Sequence, residues 1–223
     1  PPLNPSLLNR LQSLTMHIHC TPMTPGPDIG VLGSCKQLQH LSVRLRSSNS
    51  PAAPTPTQVV VLPDLKTLDV GVTNEQASAD LKLLLGYLDT PKLENLKVWY
   101  HLTRRRRASL PALGFEEVHE SALLCRNLHL VYVDFRTINL GAELSKFSML
   151  ERLTLEYCIC TPEMFSTLDN DFLPAPQTIE LIFSCNGLEV PKMRKPMAIF
   201  AEQRGGKVHE LGKGLVQITL GGQ

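Results

Sequence analysis

The chain has 223 residues, of which 43% are hydrophobic and 19% are charged, as is ordinary for a globular protein. Lys and Arg number 22 and Asp and Glu number 21, so the net charge of +1 provides no overall field that would attract a nucleic acid or an anionic membrane. The apolar runs are far shorter than the ~20 residues of a membrane-spanning helix.

A short phrase of leucines recurs along the chain. Its fullest copy, from Leu150 to Cys158, reads L-x-x-L-x-L-x-x-C, the strand segment of a leucine-rich repeat. Shorter copies start at Leu11, Leu38, Leu65, Leu93 and Leu128. A looser copy starts at Pro176 and a doubtful one at Leu215. A period of this size predicts stacked units that each contact only their neighbours, and therefore a single elongated domain over residues 1–223.

Each unit is expected to consist of a parallel strand, a turn and a return segment. In chain order, the phrases predict strands near residues 11–18, 38–45, 65–70, 93–99, 128–135, 150–156 and 176–183, with a candidate terminal strand at 215–220. The predicted fold class is an α/β leucine-rich-repeat solenoid. Its parallel strands would line the concave face, and its helices and loops the convex face.

The return segments differ from one unit to the next. Helical spacing, capping residues and closing glycines predict helices over about residues 28–37, 74–88, 115–125, 161–168 and 191–204. Two segments break the pattern. Residues 47–57 are rich in proline and predict an extended loop. Residues 101–109 contain four consecutive arginines, Arg104 to Arg107, and predict a solvated excursion.

Six cysteines need a structural explanation. Cys158 fills the ninth position of its phrase, where a small inward side chain fits. Cys35 and Cys125 each lie three residues before a leucine that opens a phrase. We expect these three to be buried, reduced and separate, because no pair has the spacing of a zinc site. Free thiols of this kind favour an intracellular location, in the cytoplasm or the nucleus.

These motifs resemble a known family. The segment from Leu150 to Phe165 resembles the cysteine-containing class of leucine-rich repeats, and residues 62–70 and 90–98 are similar to repeats of fungal F-box proteins. The resemblance covers about residues 8–183. It implies the target-recruiting repeat domain of a cullin-based ubiquitin ligase subunit. No F-box is visible in the sequence, so the ligase adaptor would bind through a region outside this chain.

Catalytic and metal-binding patterns are weak in this sequence. It contains no nucleophile elbow, no H-E-x-x-H, no P-loop and no G-x-G-x-x-G after a strand, so we expect neither an enzyme nor a cofactor. His17 and His19 are expected on one exposed side, but the sequence supplies no third metal ligand. The arginine run leaves nucleic-acid binding as an alternative, which salt-dependent affinity would reveal.

The phrase also predicts which strand residues face outward. The third, fifth and seventh positions should line the concave sheet, because alternate side chains of a strand point to opposite faces. Trp99, the one tryptophan, is then expected in solvent beside Tyr132. Large exposed aromatics flanked by charges are typical of a binding hot spot. The predicted partner-binding residues are Trp99, Tyr132, Lys97, Asp134, Arg152, Glu156, Arg44 and His40.

The sequence therefore predicts a protein-interaction module that holds a protein target on its concave face. The resemblance refines this to target recruitment by an F-box-like ubiquitin ligase subunit. A repeat scaffold or sensor with no ubiquitin role is the main alternative, and an enzyme or metal protein is the alternative from a different class. No membrane partner is expected.

Overall fold

A computed structural model describes residues 5–20, 29–47, 59–73, 77–100, 115, 118–136, 139–168, 178–182, 190–212 and 215–220. The predicted loops at 47–57 and 101–109 lie almost entirely outside these residues. The described part is an α/β structure with a mostly parallel nine-stranded sheet and a few short helices.

The strands follow the leucine phrases. The described strands are β1 (Ser13–Cys20), β2 (His40–Ser47), β3 (Val60–Val61), β4 (Thr67–Val72), β5 (Leu88–Asp89), β6 (Asn95–Tyr100), β7 (Asn127–Val131), β8 (Arg152–Glu156), β9 (Thr178–Ile182), β10 (Lys207–Gly212) and β11 (Leu215–Thr219). The main sheet has the order β1-β2-β4-β6-β7-β8-β9-β11-β10. All neighbours from β1 to β9 are parallel. β3 and β5 form a separate two-stranded parallel sheet.

The strands from β1 to β6 in the main sheet are in the register that the phrases predict. Leu41 pairs with Leu68, and Leu68 pairs with Leu96. These inward side chains, together with Leu153 and Leu155, are almost fully buried, as predicted. Because the same apolar positions meet from strand to strand, the sheet buries one continuous stripe of leucine and valine.

The helices supply the other side of this core. The described helices are α1 (Pro5–Leu8), α2 (Ala77–Tyr87), α3 (Leu140–Leu144), α4 (Pro162–Thr167) and α5 (Val190–Gln203), with short 3-10 helices at Ile29–Ser34 and Glu120–Leu124. Their buried residues, such as Leu84, Leu144 and Met197, share one hydrophobic cluster with the inward strand residues. No described helix is long and apolar enough to cross a membrane.

One predicted end of each of two helices, α4 and α5, is confirmed. Pro162 begins α4 after Thr161, and α5 stops just before Gly205, whose φ of +63° suits the end of a helix. The prediction for residues 115–125 was wrong in type, because the described helical part is only the 3-10 helix Glu120–Leu124.

A second recurring position lies three residues before each of the first six phrases, where the fifth is counted from Cys125. The residue there is buried in all six units, and its carbonyl accepts a hydrogen bond from the backbone N–H of the phrase's first residue in most of them. The residues concerned are Leu8, Cys35, Leu62, Thr90, Ala122 and Phe147. The side chains in this row differ in size, from Ala122 to Phe147.

The register corrects the fifth predicted strand. Leu128 pairs with Leu96 and Leu153, so it occupies the fourth position of its phrase and Cys125 occupies the first. The strand is therefore Asn127–Val131, and the predicted range 128–135 was wrong. Cys125 and Cys35 are consequently not equivalent, since Cys35 belongs to the row that precedes the phrase.

The last strands do not continue the repeat. β11 pairs antiparallel with both β9 and β10, so the doubtful phrase at Leu215 is the second strand of a hairpin and no further unit. The hairpin covers the β9 edge of the parallel strands.

The three cysteines with predicted structural positions are confirmed as buried and free. Burial raises the pKa of Cys125 and of Cys158 to about 12 in each case, and it also raises the pKa of Cys35. Thiols held in this protonated form are poor nucleophiles and poor metal ligands. They serve packing, and Cys158 also lies 3.4 Å from the carbonyl oxygen of Leu130, within reach of a weak S–H hydrogen bond.

Candidate functional site

The sheet side chains that alternate with the buried leucines form the exposed face of the sheet, which we define by three rows that cross the strands. From β2 to β8, the first row is His40, Thr67, Asn95, Asn127 and Arg152. The second row is Ser42, Asp69, Lys97, His129 and Thr154. The third row is Arg44, Gly71, Trp99, Val131 and Glu156.

Trp99 is held in a fixed position at the centre of the third row. Its Nε1–H donates a hydrogen bond of 2.5 Å to Oδ1 of Asp69. The indole ring lies over Gly71, where a Cβ atom would overlap it. The guanidinium carbon of Arg44 lies 5.4 Å from the ring centroid. A carboxylate and a glycine from β4 and a cation from β2 therefore fix the orientation of a half-buried tryptophan.

Two tyrosines extend this aromatic region at the ends of β7 and β8. Tyr132 and Tyr157 both have positive φ, of 59° and 53°, and their rings stack with centroids 5.3 Å apart. The left-handed backbone turns the following residues, Val133 and Cys158, into the core. Such a conformation costs a bulky residue about 1–2 kcal/mol, and it is enriched where a side chain serves a function.

A histidine and a glutamate lie next to the aromatic region. Nε2 of His129 is 2.8 Å from Oε2 of Glu156. Burial and the positive charge of Lys97 lower the pKa of His129 below its ordinary 6.5, although Glu156 and Asp69 act in the opposite direction. Because a carboxylate only accepts hydrogen bonds, His129 donates its Nε2–H in this pair.

Charge changes sign along the third row. His17 on β1 continues the row beside Arg44, so one end carries the basic side chains. The centre, formed by Trp99 and the buried Val131, is uncharged. The other end carries Glu156, which is followed in the row by Ile182 on β9, and Glu180 on β9 pairs with Thr154 in the neighbouring row. Among the described residues, neither Arg44 nor Lys97 forms an ion pair within 4.0 Å.

The structure brings together most of the predicted partner-binding residues. His40, Arg44, Lys97, Trp99, Arg152 and Glu156 all lie on the exposed face. Trp99 lies beside Val131 in the register, whereas Tyr132 stacks on Tyr157 at the strand end. The prediction that Tyr132 is the direct neighbour of Trp99 was therefore wrong. His17 is exposed as predicted, and the side chain of His19 lies outside the described residues.

Asp134 was wrongly placed on this face. Its side chain is only 9% exposed, and both carboxylate oxygens accept hydrogen bonds from Arg136 at 2.6–3.0 Å. Burial alone would raise the pKa of Asp134, but the hydrogen bonds and charge of Arg136 hold it below its ordinary value. The error follows from the register of β7. Reading its phrase from Leu128 instead of Cys125 shifts the expected outward positions of this strand by three residues, which places the last one at Asp134 instead of Val131.

The same shift hid His129 and Val131, which were absent from the predicted set. The signal that could have found these two is the segment Cys125-Arg-Asn-Leu128, which matches Leu150-Glu-Arg-Leu153 when a cysteine replaces the first leucine. Tyr157 was also absent, but for another reason: it is the eighth residue of its phrase, where strand alternation would point inward, and its positive φ breaks that alternation. No cluster of three or more potential metal ligands occurs among the side chains that the structure describes.

Comparison with known proteins assigns no relative. No protein-family model matches the chain, and no curated protein matches its sequence. The function has to be inferred from the exposed face itself.

Proposed function

We propose that this chain is a leucine-rich-repeat solenoid that binds another protein on the exposed face of its sheet. The observation that carries the proposal is the fixed tryptophan: Trp99 is positioned by Asp69, Gly71 and Arg44, yet remains partly exposed. Tryptophan, tyrosine and arginine dominate the binding energy of protein interfaces, especially where the aromatic ring is rigid before the partner arrives.

The solenoid itself is supported by the recurrence of the phrase in register. Seven neighbouring parallel strands place equivalent leucines and valines side by side, and the buried row before each phrase recurs with them. Units that stack on their neighbours in this way are expected in a solenoid, so the pairing order supports the proposal.

The resemblance to fungal F-box proteins extends the proposal to recruitment of a target to a ubiquitin ligase. A protein target suits the exposed face better than a nucleic acid does, because cations and carboxylates are mixed on it. A repeat scaffold with no ubiquitin role uses the same face. Co-purification of the full-length protein with a ligase adaptor separates these two versions.

The test of protein binding is an affinity purification with the wild-type chain and with Trp99→Ala, Arg44→Ala and Lys192→Ala. Trp99→Ala should weaken the binding free energy of the partners by about 2 kcal/mol or more, because truncated hot-spot aromatics have the largest effects. Arg44→Ala should weaken it by less. Lys192 is exposed on α5 and serves as the matched control. Denaturant unfolding of each variant checks that the fold is retained.

The proposal is wrong if the partners remain bound to Trp99→Ala at wild-type affinity. A further variant that lacks residues 103–109 tests the arginine run. Loss of binding in that variant alone would move the interaction away from the sheet, and a steep decrease in affinity with salt would indicate a nucleic acid.

A further inference from the structure

The third row of the exposed face has a basic end, an apolar centre and an acidic end. We propose that it binds an extended peptide segment with an acidic end, an apolar middle and a basic end. This inference rests on the proposed function and names the class of partner. Arg44 and His17 would face the acidic end of the segment, and Glu156 and Glu180 its basic end.

The length of the segment follows from the strand spacing. Arg44 lies on β2 and Glu156 on β8, four strand steps away across β4, β6 and β7. At ~4.8 Å per step the two residues are about 19 Å apart. An extended chain covers this distance with about six residues at ~3.3 Å each.

The centre of the row is suited to apolar side chains. The partly exposed Trp99 is adjacent in the register to the buried Val131, and the stacked pair of Tyr132 and Tyr157 follows at the strand ends. Gly71 has no side chain, so the indole ring can lie over it, next to Arg44. One or two apolar side chains in the middle of the segment would be covered by this aromatic region.

The charges in the neighbouring rows do not reverse the gradient. Asp69 and Lys97 are adjacent in the second row, carry opposite charges and largely cancel at a distance. Arg152 is four residues before Glu156 on β8, about 13 Å away along the strand. Glu180 accepts hydrogen bonds from Thr154 and Gln217, which hold its carboxylate at the acidic end without neutralising it.

The test uses the fluorescence of Trp99, the one tryptophan of the chain, as a probe at the site itself. Three capped eight-residue peptides share the centre Ser-Leu-Ser-Val and differ at their ends. The first has two aspartates at one end and two lysines at the other, the second has aspartates at both ends, and the third has lysines at both ends. Each peptide is titrated at low ionic strength into the wild type, Arg44→Glu and Glu156→Lys.

The expected result is a change of preference with each swap. The wild type should bind the mixed peptide about fivefold more tightly than either of the others, since each exposed charge pair contributes modestly. Arg44→Glu should prefer the peptide with two basic ends, and Glu156→Lys the peptide with two acidic ends. High salt should reduce all of these preferences.

Two control variants carry the same charge changes away from the exposed face. Lys36→Glu in the turn before β2 and Glu202→Lys on α5 are both at exposed positions and should keep the wild-type ranking. The proposed peptide class is wrong if the order of peptide affinities stays the same in Arg44→Glu and Glu156→Lys, or if the control variants change it equally. It is also wrong if none of the peptides changes the fluorescence of Trp99. That result is distinct from failure of the proposed function, which is retention of whole-protein partners by Trp99→Ala.

Discussion

Strands in the two halves of the sheet end differently although they carry the same leucine phrase. In β2, β4 and β6, the alternation of the strand continues to the eighth phrase position, where Leu45, Val72 and Tyr100 are buried. In β7 and β8, the eighth position holds Tyr132 and Tyr157 with positive φ, and the ninth residue is buried instead.

The residue after the tyrosine explains the difference. Tyr132 is followed by Val133 and Tyr157 by Cys158, both small, apolar and buried. Tyr100 is followed by the polar His101, which is poorly suited to an inward position, so the tyrosine itself is buried. The same phrase position therefore serves the core in one half and the surface in the other, and the aromatic region of the exposed face depends on this change.

The largest expected effect concerns the part of the phrase that both halves share. Leu68→Ala in β4 and Leu153→Ala in β8 should each reduce the free energy of unfolding by about 2–5 kcal/mol, because both side chains are fully buried and leave a cavity. Urea denaturation measures the loss. Arg152→Ala, at the exposed position beside Leu153, should change the stability by no more than about 0.5 kcal/mol. A loss below about 1 kcal/mol for either leucine would contradict a shared core.

The eighth position should separate the two halves. Val72→Asn places an amide in the core of β4 and should cost about 2–4 kcal/mol. Tyr157→Asn in β8 loses an aromatic stack of about 0.5–1.5 kcal/mol, and asparagine tolerates the left-handed backbone better than tyrosine does. Denaturant unfolding of the two variants should therefore show a clearly smaller loss in β8. Equal losses would mean that the two strand endings are alike in solution.

The sequence predicted the repeated part of the fold well. A period-two pattern that follows an opening leucine predicts the buried leucines, the parallel order and the outward residues of β2, β4 and β6. The prediction failed at β7, because Cys125 replaces the opening leucine and is as well buried as a leucine would be. Hydrophobic character, not residue identity, satisfies the position.

The candidate site was less predictable than the fold. The outward position of Trp99 followed from the phrase, but its hydrogen bond to Asp69 and its contact with Gly71 involve a strand about thirty residues earlier. The positive φ of Tyr132 has no signal in the tyrosine itself, since only the competition between neighbouring side chains for the core determines it. Sequence patterns report local periodicity, and these features arise from packing between strands.

The strain at Tyr132 can be tested by two substitutions that remove the same stack. Tyr132→Val and Tyr132→Asn both lose the contact with Tyr157, but a β-branched residue fits a φ of 59° much less well than asparagine does. The valine variant should be less stable than the asparagine variant by about 1 kcal/mol in urea denaturation. The opposite order would show that the chain ends β7 in an ordinary extended conformation, as β4 does.

The smallest expected effect is the pH dependence that His129 gives to the β7–β8 half. Burial and Lys97 lower the pKa of His129 below 6.5 in the folded protein, so between that pKa and 6.5 the unfolded chain binds more protons. Stability should therefore decrease as the pH decreases from about 7 through this range.

His129→Gln removes the titrating group but keeps an N–H that can reach Glu156, so its free energy of unfolding should vary less with pH. Lys97→Gln removes one cause of the lowered pKa and should give an intermediate slope. Denaturant titrations between pH 5 and 7.5 measure these slopes. If neither variant changed the slope, His129 would have the same pKa in both states, and its pair with Glu156 would be fully solvated.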